Sequence, residues 1–204
     1  MRIDDGLVVG NTYDKYGTSN PIARRLMRGF LDSAERLAKR THAANIYEAG
    51  CGEGKLSNYF HSLGYKVRGS DVSADVINEA REVYPQIEFE RKSIYELDAS
   101  EHGAELVVCC EVLEHLEEPQ KALDVLARIA PKYLLVSVPR EPLWRMLNML
   151  RGKYLTACGN TPGHLNHWST RQFVTFLSQR FNIVETCTPL PWTMVLCSSK
   201  EMKS

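Results

Sequence analysis

Five short β-rich runs alternate with stretches of helical period from Asn45 onward, and this alternation narrows the fold more than any other property of the chain. The runs are Asn45 to Glu48, Lys66 to Asp71, Ile87 to Glu90, Leu106 to Cys110 and Tyr133 to Val138. Between them lie Lys55 to Leu63, Ala74 to Tyr84 and Pro119 to Ala130, each with the apolar spacing of a helix. Parallel strands need crossover connections, so the pattern predicts an α/β fold: a parallel sheet covered by helices on both faces. Ahead of the first strand, Ile22, Leu26, Phe30, Ala34 and Leu37 recur at three and four residues and predict an amphipathic helix from about Pro21 to Arg40. Proline suits its first turn. After the fifth strand, Pro142 to Leu150 and Thr170 to Gln179 read as helices, and Phe181 to Cys187 with Thr193 to Ser198 as a closing strand pair. The link through Pro189 and Pro191 is too short for a crossover helix, which makes that pair antiparallel.

With 204 residues the chain reads as one domain, 1–204, large enough to bury a core without a disulfide or metal staple. Lys+Arg 25 against Asp+Glu 25 counts against a nucleic-acid binder held by a broad basic face. The zero sum hides segregation. Between Ser93 and Glu118 there are eight acidic residues and no Lys or Arg, whereas Pro21 to Arg40 holds six basic and two acidic residues. That basic helix is open to peripheral contact with an anionic membrane. The six cysteines form no CxxC pair and no leader pattern is present, so reduced thiols and a cytoplasmic location are expected. The longest apolar runs are strand-sized, far below the roughly 20 residues of a membrane span.

The chemistry concentrates where the first strand ends. In Glu48-Ala49-Gly50-Cys51-Gly52-Glu53-Gly54 a glycine loop follows a strand and opens a helix, a place where the backbone can turn sharply and approach a ligand closely. Asp71 ends the second strand, 23 positions after Glu48, where a carboxylate accepts from ribose hydroxyls. Dinucleotide loops run GxGxxG and seat a pyrophosphate. Here the glycines run GxGxG between Glu48 and Glu53, a setting that repels a pyrophosphate and suits an ammonium and a sulfonium. S-adenosylmethionine carries both.

These residues, together with Gly69-Ser70-Asp71-Val72-Ser73, Leu106 to His115 and Val136-Ser137-Val138-Pro139, resemble the class I S-adenosylmethionine-dependent methyltransferases over nearly the whole chain. The resemblance implies a Rossmann-like seven-stranded sheet in order 3-2-1-4-5-7-6, the last strand antiparallel, flanked by helices. It also implies that Glu48, Ala49, Gly50, Cys51, Gly52 and Gly54 hold the methionine part of the cofactor. Asp71 would hold the ribose and Ser93 and Ile94 would flank the adenine, with Val72, Cys110 and Glu111 as further cofactor-binding residues.

Glu111, Glu114 and His115 follow the fourth strand and would share one face of a helical turn. Their ExxEH pattern, with a later histidine, is similar to the ubiquinone-pathway O-methyltransferases and to the magnesium- or manganese-dependent small-RNA 3′-terminal 2′-O-methyltransferases. The similarity implies a Mg²⁺ or Mn²⁺ site at Glu111, Glu114, His115 and His164, the last within His164-Leu165-Asn166-His167-Trp168. The second consecutive histidine of the RNA enzymes is replaced by Leu116. Without a metal, His115, His164 or His167 would serve as general base. Residues 139–168 carry Trp144, Met146, Met149, Tyr154 and Trp168, break the alternation and form the expected substrate cover; Trp168 is expected at the pocket and Trp192 in the core or rim. An N-terminal helical region is expected over residues 13–40, with Tyr13 and Tyr16 able to close over the cofactor. The expected activity is O-methylation of a small or lipid-like hydroxylated acceptor. The alternatives are RNA-terminal methylation and a non-catalytic cofactor-binding subunit. Acceptor atom, metal and oligomeric state stay open at this level.

Overall fold

The computed structural model describes residues 2–4, 7–9, 19–150, 152, 154 and 157–200, the first two groups as backbone only. Among these, seven strands form the main sheet: β1 Asn45–Ala49, β2 Lys66–Asp71, β3 Glu88–Arg91, β4 Leu106–Cys110, β5 Tyr133–Pro139, β6 Phe181–Cys187 and β7 Trp192–Ser199. Their order is β3-β2-β1-β4-β5-β7-β6; β1 to β5 run parallel, and β7 runs antiparallel to both of its neighbours. This is the topology that the resemblance implies. A short antiparallel pair, Arg2–Asp4 with Leu7–Val9, precedes it, and nothing in the sequence pattern announces that pair.

The helices are α1 Pro21–Lys39, α2 Lys55–Ser62, α3 Ala74–Val83, α4 Ala99–His102, α5 Pro119–Ile129, α6 Leu143–Leu150 and α7 Thr170–Leu177. Asn20 caps α1 by accepting from Ile22 N and Ala23 N, with Pro21 in the first turn as expected. Ser169 and Gln172 close a capping box on α7. The region expected to be helical from residue 13 is helical from Pro21; Tyr13 and Tyr16 lie outside the described residues.

Strand β4 shows how the sheet is covered. Leu106, Val108 and Cys110 face a core built with Phe30, Leu37, Phe60 and Ile77 from α1, α2 and α3, while Val107 and Cys109 face Leu123, Leu126, Phe173 and Leu177 from α5 and α7. All five β4 residues are buried, so the strand reads as one continuous apolar run. The strand order reverses between β1 and β4, and a crevice opens at the carboxyl ends of these two strands.

Both charged segments divide in three dimensions. Arg36 of α1 and Arg40 at its C-cap share the Glu185 carboxylate of β6, and Lys39 pairs with Glu35. Arg24, Arg25 and Arg28 are exposed, with no ion pair among the described residues. In the acidic tract, Asp98 caps α4, Glu96 closes the turn at Ser93, Glu101 lies 3.6 Å from Lys92 and Glu105 lies 2.7 Å from Lys132. Glu111 and Glu114 alone of these eight follow β4 directly toward the crevice. No helix among the described residues is long and apolar enough to cross a membrane.

Candidate active site

Strand β1 ends in the glycine loop, and the loop is bent by positive φ angles at Gly50 (82°), Gly52 (52°) and Gly54 (74°). The three glycines serve different ends. A Cβ on Gly50 would lie 2.3 Å from Val112 Cγ2 and one on Gly54 2.7 Å from Phe89 Cζ, whereas one on Gly52 would meet nothing within 4 Å. The outer two let the loop sit against its neighbours; the middle one leaves its backbone open to an approaching ligand. The N–H groups of Gly50 and Cys51 both donate to Ser70 O, at 2.8 and 2.9 Å, and so tie the loop to β2.

Two carboxylates border this turn. Glu48 is 3% exposed and accepts from Ser57 Oγ of α2. Burial pushes its pKa up to about 8, and the nearby Asp71 adds to the shift. Asp71 Oδ2 accepts from Gly52 N at 3.0 Å and Oδ1 from Ser73 N at 3.1 Å. Burial raises the Asp71 pKa as well, against the lowering effect of those two hydrogen bonds. Desolvated carboxylates of this kind form a cradle whose occupant should be cationic or rich in hydroxyl donors.

Across the crevice, the turn Leu113–His115 lies beside a distant segment. Leu165 N and Asn166 N donate to Glu114 O at 2.8 and 3.0 Å, and Asn166 Nδ2 donates to Leu113 O and Leu116 O at 3.2 and 2.6 Å. These bonds carry His164 to the turn. Ligand atoms of Glu114, His115 and His164 all lie within 4.8 Å of one another, with Glu114 and His164 buried. His115 Nδ1 lies 2.9 Å from Gly163 O; a carbonyl only accepts, so Nδ1 carries the hydrogen, and in the neutral ring the Nε2 lone pair is directed to the cluster, 4.0 Å from Glu114 Oε1. The His115 and His164 rings meet edge to face at 4.9 Å, and Trp144 stacks on His164 at 6.0 Å. Val112, which covers Gly50, joins this turn to the glycine loop.

A methyltransferase domain family model matches residues 46–131, from β1 to just beyond α5. A probable S-adenosylmethionine-dependent methyltransferase of Mycobacterium tuberculosis is 30% identical over 109 residues, which are 52% of this chain and 40% of that one. A ubiquinone biosynthesis O-methyltransferase of Xanthomonas oryzae pv. oryzae is 28% identical over 120 residues, 55% of this chain and 50% of that one. The solved structure of magnesium protoporphyrin IX methyltransferase from Synechocystis PCC 6803 with bound S-adenosylhomocysteine aligns at a TM-score of 0.68 and 20% identity over 90% of each chain. The family match lies on residues 46–131, and the fold around them is the one seen in methyltransferases of known structure. The chain spans half or less of the length of the two curated relatives.

Within this fold, the expected cofactor residues Glu48, Ala49, Gly50, Cys51, Gly52, Gly54, Asp71 and Val72 lie together on the ends of β1 and β2 and the loop between β1 and α2. Val72 is 39% exposed next to the Asp71 carboxylate. Ser93 uses its hydroxyl to cap Tyr95 N, and the Ile94 side chain is buried. The Cys51 and Cys110 thiols are buried and their pKa values are raised by that burial, so neither is a nucleophile.

Two expectations on this side of the crevice, for Glu111 and Trp168, need correction. Glu111 does not join the Glu114, His115 and His164 cluster: its backbone turns to φ 60°, and its carboxylate accepts from Trp192 Nε1 at 2.6 Å and Ser137 Oγ at 3.3 Å. Glu111 precedes the 3₁₀ turn Leu113–His115 with a left-handed backbone and so does not share a helical face with Glu114 and His115. His167, expected as a candidate general base and not as a ligand, is exposed, with Nε2 2.7 Å from Asn160 Oδ1. Trp168 packs on Phe173 and Phe176, leaving Trp144 as the indole beside His164. Trp192 belongs to the core as expected, at 4% exposed. Sequence reasoning missed Ser57 and Asn166. Asn166, an amide between two histidines, was the readable signal; the role of Ser57 appears only when α2 sits against β1.

The glycines and Glu48 generate two expected outcomes. Gly50→Ala should lower stability by about 1–3 kcal/mol, because the methyl group overlaps Val112 at a left-handed φ, while Gly52→Ala should fold with a smaller loss and show its main defect in ligand titration. Thermal melts and calorimetry of the two proteins check this contrast. For Glu48, the folded state keeps a proton between pH 4.5 and about 8 that the unfolded chain has released. Stability should therefore fall as pH rises through that window, by at most about 1.4 kcal/mol per unit. Denaturant titrations of Glu48→Gln should show that part of the slope removed.

Proposed function

We propose that this domain binds S-adenosylmethionine between Glu48, the glycine loop and Asp71, and transfers its methyl group to the hydroxyl of a small or lipid-like acceptor. The observation that carries the acceptor side is the convergence of Glu114, His115 and His164 at the carboxyl end of β4, joined to the glycine loop through Val112. In this reading the Glu48 carboxylate meets the cofactor ammonium, whose charge would draw Glu48 into its ionised form, and Asp71 takes the ribose hydroxyls. Displacement then needs little beyond alignment: the acceptor oxygen forms a bond to the methyl carbon as the carbon–sulfur bond breaks, sulfur leaves as a neutral thioether, and the acceptor proton passes to water.

Two imidazoles and a buried carboxylate also fit a divalent ion. The donor set favours a borderline ion such as Mn²⁺ over Mg²⁺, since two of the three ligands are nitrogen and Glu111 is engaged elsewhere. Glu114, His115 and His164 would hold it, and Gly163 O would orient His115 from behind. When bound, such an ion supplies orientation and a lowered pKa to an acceptor oxygen. The M. tuberculosis and X. oryzae relatives support methyl transfer, and the latter supports oxygen as acceptor.

The deciding experiment follows labelled methyl groups into small-molecule, lipid and RNA fractions, with and without Mg²⁺ or Mn²⁺. Label in a lipid or small hydroxylated product is expected; label in RNA would install the RNA-terminal reading instead. Asp71→Ala should weaken cofactor binding by about 2–4 kcal/mol, roughly 30- to 1,000-fold, through loss of two charge-assisted hydrogen bonds. Calorimetry with unchanged affinity would place the ribose elsewhere. Glu114→Ala and His164→Ala should each abolish Mn²⁺ binding in calorimetry and cut turnover, and a chelator should reproduce the turnover loss in the parent protein. Turnover that survives both treatments would remove the metal from the proposal.

A further inference from the structure

Helix α6 is turned inside out. Its polar Asn148 is buried, with Nδ2 donating to Gly159 O at 2.9 Å and Thr161 Oγ1 at 3.1 Å. Its apolar Met146, Met149 and Leu150 are 51%, 39% and 81% exposed, and their spacing of three and four residues puts them in one stripe. Leu165, next to His164, adds a fourth apolar side chain at 56% exposed. Helices α6 and α1 both pack against Trp192, whose ring is 5.0 Å from Phe30 of α1 and 6.1 Å from Trp144 of α6. The first turns of α1 expose Ile22 at 71%, together with Arg24, Arg25 and Arg28, and hold no acidic residue before Asp32.

We propose that α6 and the first turns of α1 dock this domain on an anionic lipid bilayer. The Met146, Met149 and Leu150 stripe would enter the boundary between headgroups and acyl chains, and the three arginines would meet lipid phosphates. Arg36 of α1 and Arg40 at its C-cap are paired with Glu185 instead. A polynucleotide would use the arginines and leave the apolar stripe in water. A second copy of the chain would need roughly 800 Å² of good contact per partner, far more than a stripe of three side chains supplies. An anionic bilayer satisfies both the apolar and the basic part at once. The docking does not depend on the methyl-transfer reading.

The test is flotation of the 204-residue chain with vesicles of phosphatidylcholine alone or with one-third phosphatidylglycerol, without cofactor or acceptor. Retention on the anionic vesicles is expected, weakened at high salt, with at least a tenfold lower partition coefficient for Leu150→Glu and for Arg24→Glu/Arg25→Glu. Both variants should keep the parent melting temperature and cofactor affinity, because the substituted side chains are exposed. Three results would overturn the proposal: no retention of the parent protein, retention that Leu150→Glu leaves unchanged, or a dimer in sedimentation that Leu150→Glu dissociates. Methyl transfer measured separately on a water-soluble acceptor keeps a failure of docking distinct from a failure of the enzymatic reading.

Discussion

The carbonyl oxygen of Ser70 accepts the N–H groups of both Gly50 and Cys51, and the rest of the site depends on that fork. It bends the chain over the end of β2, so that the glycine loop crosses from one strand to the helix without climbing away from the sheet. The crossing is tight enough that Gly50 and Gly54 have no room for a side chain against Val112 and Phe89. Asp71, one residue beyond Ser70, is thereby placed to accept from Gly52 N, and Val112 covers the loop from the β4 side. A single shared acceptor thus links β1, β2 and the turn after β4.

Building the site this way costs the apoprotein stability. Glu48 is desolvated at the end of a parallel strand, with one hydroxyl from Ser57 and a neighbouring carboxylate that works against its ionisation. A fold selected for stability alone would place an apolar residue there. The arrangement makes physical sense when a cationic ligand completes the pairing, which converts an unfavourable burial into binding energy specific to a positive charge. The buried Glu114 beside His115 and His164 presents the same logic on the acceptor side.

Much of the fold was legible because its signals are local. Every strand of the main sheet begins and ends within two residues of its sequence-based expectation, since continuous apolar runs such as Leu106 to Cys110 are what a strand buried on both faces requires. The loop was legible too, because glycine is the residue that adopts positive φ without strain. The acceptor side was only half legible. Glu114, His115 and His164 could be picked out as types, but Glu111 was grouped with them on a helical periodicity that the tight turn does not follow. The basic first helix and the acidic tract were each seen as one charged segment; capping and pairing partners far along the chain divide both.

The sequence by itself determined the strand order's raw material, the closing antiparallel pair, the glycine loop and the two acids beside it, because backbone sterics and strand burial leave a direct trace in residue type. Tertiary structure alone decided which of several histidines and tryptophans share a site. Hydrogen bonds from Leu165 and Asn166 to Glu114, Leu113 and Leu116 span about 50 positions of chain and bring His164 and Trp144 to the cluster while His167 and Trp168 turn elsewhere. The outward face of α6 was decided in the same way, by Asn148 finding its partners on the Gly159 to Thr161 loop. Contacts of this range depend on where two packed elements meet, and no local periodicity records that.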